Sequence, residues 1–269
     1  MQFEKYQKEI DNKLSKIKLS NNPKELYDPV RYMLKMKSKR VRPILAILAY
    51  KLVHPNWKKV IQSCLSLELF HNFTLIHDDI MDKAPIRRGK KTIHEKWNKN
   101  IGILSGDLLM ILAYDMISDL PKNVLSKTML KFNEISIKVC EGQQLDMNYQ
   151  TRKNIDEKQY IEMIRLKTAT LIGLSLQFGG LLANMNNNNL NTLYKIGELF
   201  GIGLCDEWPA IRYPTDGGER SGTFQKNMTI TIESYIGKVG GKEGVKLEQQ
   251  YLIGENGLEL MSHHPLEDV

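Results

Sequence analysis

The sequence predicts an all-α helical bundle over residues 1–204, followed by an atypical segment over 205–269. Three observations predict it. Apolar residues recur three and four positions apart in 44–53, 60–76, 103–120, 130–139, 160–182 and 190–204. Several of these stretches are apolar on more than one side, as helices inside a bundle are. No alternating strand series interrupts them, and the character of the chain changes only near Cys205. From Gly201 onward lie 11 of the 19 glycines, with Pro209 and Pro214 where the earlier pattern would continue a helix.

Each element has its own punctuation. Pro23 and Pro29 break up the N-terminal region, Pro55–Asn56 ends the next segment, and Pro85 with Gly89 marks a loop. Pro121 stops another helix, and Asn186 to Asn189 form a polar linker. In the last segment, 228–236 alternates apolar and polar residues between glycine pairs and reads as a strand.

Composition narrows the class. The 269 residues are 42% apolar and 26% charged, which fits a globular chain with an ample core and excludes collagenous or wholly disordered types. The apolar stretch 101–117 is interrupted by Asp107, so no membrane span is expected. The first ten residues carry acids and lack an apolar run, so no signal peptide is expected either. Cys64, Cys140 and Cys205 are far apart and show no zinc spacing; a reduced, cytoplasmic protein is the expectation. The net charge of +7 is uneven: residues 1–60 hold 15 basic against 5 acidic side chains. Nucleic acid, acidic lipid or a phosphorylated small molecule would each suit that balance. The aromatic interleaving expected of a nucleic-acid surface is missing.

The chemistry centres on His77-Asp78-Asp79-Ile80-Met81-Asp82, at the end of a long apolar helix. Asp78 and Asp82, four apart, share a helix face, and two carboxylates so placed repel unless a cation lies between them. Oxygen donors without cysteine or paired histidine favour Mg²⁺, which completes its shell with water and phosphate oxygens. Taken alone, such a string also suits an exposed acidic helix end. Its surroundings favour the metal reading. Arg87 and Arg88 follow in a Pro- and Gly-bearing loop, and Lys39, Arg40 and Arg42 form a basic turn before Pro43. Lys167 sits among Leu166, Ala169 and Leu171, where an unpaired ammonium would be costly. Several separated cations beside a carboxylate face suit a diphosphate.

These stretches, with Gly106-Asp107, Glu141-Gly142-Gln143-Gln144-Leu145-Asp146 and Lys167-Thr168, resemble in order and spacing the trans-isoprenyl diphosphate synthases over residues 20–204. The resemblance implies an isoprenoid synthase-like bundle around a central cavity, usually a homodimer. It implies that isopentenyl diphosphate and an allylic diphosphate condense to a short, farnesyl- or geranylgeranyl-sized prenyl diphosphate. Asp78 and Asp82 would ligate Mg²⁺, with Asp79 supporting and Asp146 assisting. Arg87 and Lys167 would hold the allylic diphosphate; Lys39, Arg42, His71 and Arg88 would hold isopentenyl diphosphate. Gln143 and Thr168 would line the reacting centre. Phe73, five residues before Asp78, would be the floor that limits chain growth; plain core packing is the alternative for it. His77 and His94 are expected to be structural or orienting.

The family's second Asp-rich motif is absent. The three positions where the resemblance calls for aspartate read Trp208, Pro209 and Arg212, while Asp206 and Glu207 come two residues early. Turnover is therefore expected to be impaired; a prenyl-diphosphate-binding paralogue or partner subunit without activity is one alternative, and a chimera by fusion, favoured by the abrupt change between Leu204 and Trp208, is another. A class I terpene cyclase is a third, although it has no use for Lys39, Arg42 and His71. The residues 228–237 and 244–248 resemble the end of a creatinase or Xaa-Pro aminopeptidase domain. There Glu233 and Glu248 would be two metal ligands whose partners are lacking upstream, so no peptidase activity is expected.

Overall fold

Residues 2–152 and 155–205 are described by the structure, a computed structural model, together with the strands 229–237, 244–253 and 258–260. The chain divides into two units, 1–205 and 206–269. Asp206, Glu207, Trp208, Pro209 and Arg212, on which the absence of the second motif turns, lie outside the described residues.

The first unit is helical. It comprises α1 (Gln2–Leu14), α2 (Lys24–Leu34), α3 (Val41–Lys51), a 3₁₀ turn (Trp57–Val60) and α4 (Ile61–Met81). A two-residue hairpin, β1 (Ile86–Arg87) and β2 (Lys90–Lys91), leads to the short α5 (Ile93–Lys96) and then α6 (Lys99–Ser118). The long α7 (Lys122–Gln150) precedes α8 (Glu157–Ile164), a π-helical turn (Arg165–Ala169), α9 (Thr170–Leu182) and α10 (Asn187–Cys205). Helix α4 packs on α6, α9 on α3, and α10 on α9. Phe70, Phe132 and Phe178 are fully buried, and Phe70 meets Phe132 edge-to-face at 5.1 Å.

Helix starts follow local chemistry. Asn98 accepts from the Ile101 amide at the start of α6. Asp156 and Gln159 form a reciprocal capping box at the start of α8. Four details depart from the sequence pattern. Asn187, Asn188 and Asn189, expected in a linker, form the first turn of α10, and Asn186 accepts from the Asn189 amide as its cap. Pro29 lies inside α2, buried, where a break was expected. The stretch 160–182 is two helices separated by the π-turn. Helix α6 is long and apolar enough to cross a membrane, despite Asp107. Its inner face, with Ser105, Gly106 and Leu109, is buried in the bundle.

The second unit contains a three-stranded antiparallel sheet in the order β3 (Thr229–Gly237), β4 (Gly244–Ile253), β5 (Leu258–Leu260). Strand β3 matches the alternation in the sequence, and its register sets Glu233 opposite Glu248.

Candidate active site

Helix α4 carries one cavity near its middle and another at its C-terminal end. The first, of about 390 Å³, is lined by Lys39, Arg42, His71 and Arg88, the four residues expected to hold one diphosphate, together with Arg40 and Glu68. Burial, then the charges of Arg42, Arg88, Arg87 and Arg40, hold His71 well below the usual imidazole range, so the ring is neutral. It can donate or accept a hydrogen bond without adding charge.

Backbone geometry aims the cations. Arg88 and Gly89 both have positive φ between the paired residues Arg87 and Lys90, the signature of a type I′ hairpin turn. The base of this loop is tied down by the buried Thr92 hydroxyl, which donates to the Ala84 carbonyl at 2.8 Å. The Tyr32 hydroxyl donates to the Lys91 carbonyl. Arg40 has φ +51° at the start of α3, between Lys39 and Arg42. It is 2% exposed, and its guanidinium donates to Asp11, Glu68, and the carbonyls of Leu34 and Met36. This arginine, grouped in the sequence with the ligand-facing cations, holds the basic turn in shape. Its carboxylate partners stand 29 and 28 residues away, so no local signal pairs them.

The second cavity is a cleft of about 170 Å³ between α4, α7 and the π-turn. Asp78, Gln143 and Lys167 line it with Phe73, His77 and Val139. Burial pushes the Asp78 carboxyl up to about 6; Lys167 works against this, while Asp82 and Asp79 add to it. Asp82 is exposed at the C-terminal end of α4. The Gln143 side chain is 8% exposed, and its Oε1 has no hydrogen-bond partner. Thr168 is half-buried beside Lys167 on the π-turn but does not line the cleft.

Two of the expected diphosphate-binding cations are already matched by carboxylates. Lys167 Nζ lies 2.6 Å from Asp146 Oδ2. Arg87 Nε donates to Asp79 Oδ1 at 2.7 Å, and Asp79 is 3% exposed. Asp79 and Asp146 therefore face cations here rather than a common point with Asp78. Among the described residues no three His, Cys, Asp or Glu side chains converge on one metal position. The residues still fit Mg²⁺ in the form expected of it: one or two carboxylates, with phosphate oxygens supplying the rest. The elevated Asp78 carboxyl, crowded by two further acids, is a site where a cation would relieve repulsion.

Lys167 reaches this cleft because Gly142 lets two backbones touch. A Cβ on Gly142 would stand 2.2 Å from the Lys167 amide nitrogen. Side chains in the π-turn are offset from the ordinary helical faces, and such turns are frequent at functional sites. The Polyprenyl synthetase family model matches residues 23–203. The chain belongs to this family. A geranylgeranyl diphosphate synthase of Methanosarcina mazei is 38% identical over 198 residues, 72% of this chain and 61% of that protein. A short chain isoprenyl diphosphate synthase of Methanocaldococcus jannaschii is 35% identical over 66% of this chain and 54% of its own. The solved geranylgeranyl pyrophosphate synthetase of Geoglobus acetivorans superposes with a TM-score of 0.73 at 32% identity, covering 76% of this chain and 68% of that one. The chain spans about three-fifths of the length of its curated polyprenyl synthetase relatives. The fold over the first unit is the all-α fold of these isoprenyl synthases.

Proposed function

We propose that the chain is a trans-prenyltransferase that joins isopentenyl diphosphate to an allylic diphosphate, giving a short-chain prenyl diphosphate. The observation that carries this reading is the pair of cavities on α4. One is ringed by cations, and the other sets Asp78 and Lys167 beside a largely apolar lining. His71 and Asp78 are seven residues apart, roughly 10 Å along the helix, so two diphosphates can lie side by side. A terpene cyclase would leave the cationic cavity without a role.

In this reading Lys39, Arg42 and Arg88 hold isopentenyl diphosphate, and neutral His71 donates to it. Arg87 and Lys167 turn from Asp79 and Asp146 toward the allylic diphosphate. Asp78 and Asp82, with Asp79 and Asp146 behind them, would hold Mg²⁺, which neutralises the charge developing on the leaving diphosphate. Gln143 faces the reacting centre, and Thr168, outside the cleft lining, supports the turn that carries Lys167. The apolar lining keeps water from the carbocation. Phe73 closes the cleft, so Phe73→Ala should lengthen the product. Exposed Ile103, Leu104 and Ile111 on α6, with Leu130 and Ile137 on α7, fit burial against a second copy in a cytoplasmic homodimer.

The chain is organised as a synthase-like domain over 1–204 and a segment, 205–269, without the second Asp-rich motif. The resemblance of 228–237 and 244–248 to the end of an aminopeptidase domain supports reading that segment as a fragment of one, without the further ligands that peptidase activity needs. Mg²⁺-dependent binding survives, while turnover falls by at least about 10²–10³ for want of the opposing carboxylates. This favours a binding protein as the second reading. The test sets the chain beside a version whose last segment carries the second motif on a helix. Calorimetry with an allylic diphosphate should give binding to both, and a prenyl-transfer assay should give turnover only in the second. Full activity in the unaltered chain would refute the impaired state. No binding by either would refute the site.

A further inference from the structure

We propose that Gly106 on α6 and His77 on α4 together set the depth of the cleft, and so select the length of the hydrocarbon tail it accepts. The inference rests on the reading of this cleft as an allylic diphosphate site. It concerns two residues to which that reading gives no task.

His77 stands one turn beyond Phe73 on α4, and both line the cleft. Their rings meet edge-to-face, with centroids 4.8 Å apart and planes at 71°. On its other side the imidazole lies against α6. Its Nε2 is 3.2 Å from the Ile103 carbonyl oxygen and 3.7 Å from Asp107 Oδ1. Against the Nε2–Cδ2 edge of the ring is Gly106. A Cβ there would stand 2.4 Å from Nε2 and 2.5 Å from Cδ2, so any larger residue must displace the imidazole.

The direction of that displacement follows from the packing. Behind Phe73 stands Phe70, 1% exposed, with ring centroids 5.4 Å apart. Phe70 in turn is locked edge-to-face against the fully buried Phe132. A close-packed aromatic wall of this kind does not yield. The open side of His77 is the cleft itself. A methyl group at 106 therefore pushes the imidazole, and Phe73 with it, into the volume a tail would occupy. Removing the imidazole does the reverse: Phe73 loses its lateral support and the cleft deepens toward α6. His77 is thus a positioning residue for Phe73, and Gly106 is the notch that seats it.

The test uses the full chain with Mg²⁺ and measures binding by calorimetry. The probes are inorganic pyrophosphate and unreactive thiodiphosphate analogues of geranyl, farnesyl and geranylgeranyl diphosphate. Binding serves because it needs no turnover. Gly106→Ala should weaken the geranylgeranyl analogue by about tenfold or more relative to the geranyl analogue, the scale on which an apolar pocket discriminates a missing fit. Pyrophosphate should be held as before. His77→Ala should shift preference the opposite way, and it carries the test alone if Gly106→Ala does not fold. An unchanged ranking of tails in the folded variants would overturn the inference. So would equal losses for pyrophosphate and every analogue, which would mark an effect on the head group. If the unaltered chain binds neither pyrophosphate nor any analogue, the underlying site reading falls and this inference falls with it. If it binds them all and only the ranking fails to move, the site stands and the depth device does not.

Discussion

The basic cavity and the cleft at Asp78 share one helix, yet their charges are held in opposite ways. In the basic cavity the shape is set by Arg40, a buried cation that directs four of its five N–H donors to Asp11, Glu68 and two carbonyls. Lys39 and Arg42 flank it and inherit its rigidity. Around the cleft the cations Lys167, which lines it, and Arg87, which does not, are tied to Asp146 and Asp79, and Asp78 ionises only at some cost. One end is finished by the chain itself. On the proposed reading the other would be finished by what binds there, through exchange of carboxylate partners for phosphate and of repulsion for a metal. Preorganisation costs stability where the charges are, so a fold that needs two anion sites gains by building only one of them rigidly.

The contrast can be broken most forcibly at Arg40. Arg40→Met leaves Glu68, with 2% of its side chain exposed, as a buried charge without its partner. Chemical denaturation should show a loss of about 3–5 kcal/mol. The double variant Arg40→Met with Glu68→Leu should recover much of it. Equal losses in the single and double variants would show that the arginine matters through its carbonyl bonds alone.

Gly142→Ala attacks the opposite end. Its methyl group would force α7 off the π-turn, costing about 2–3 kcal/mol by overpacking and pulling Lys167 from Asp146. Binding of an allylic diphosphate should weaken sharply, while that of isopentenyl diphosphate changes little. The two affinities, measured separately, decide whether the ends are independent.

Asp78→Asn sharpens the contrast by pH. The carboxyl titrates near 6 in the folded chain against 3.8 as its ordinary value. The folded state therefore keeps a proton that the unfolded state has lost, and stability falls as pH rises from about 4 through 6. The asparagine variant should lack that slope and exceed the parent by about 1–2 kcal/mol at pH 7, while losing Mg²⁺-dependent binding. Thermal melts from pH 4 to 7 without metal give the first result and calorimetry the second.

The mildest change is Asp11→Asn. Asp11 is half exposed, and Glu68 still neutralises Arg40, so the loss should stay below about 1 kcal/mol. A larger drop in melts would mean that α1 is a working wall of the basic cavity.

What could be read in the sequence follows from how far each cause reaches along the chain. Helix periodicity and the spacing of Asp78 and Asp82 are local, and so was the pairing of Lys39 with Arg42 on one turn. Pro29 reads as a stop in the sequence, whereas α2 absorbs it among buried residues. The π-turn was invisible, since apolar spacing over 160–182 is compatible with one continuous helix. The roles of Arg40 and Gly142 depend on partners in other helices. A motif can mark such residues as present but cannot say that one is a strut and the other a gap. The missing second motif lies in 206–212, outside the described residues.

The π-turn at Arg165–Ala169 also makes the chain intolerant of a change in length. It carries an extra residue relative to the α-helical turn it replaces, so α8 and α9 run out of phase with one another. Deleting one residue there would let the two merge into a single regular helix, and would rotate one half by roughly 100° against the other. Lys167 would swing off Asp146, or α9 would lose its seat on α3. Substitutions at the outer positions of this stretch can drift freely, but an insertion or deletion between Met163 and Leu171 cannot be absorbed the way one in the turn at Asn184 can.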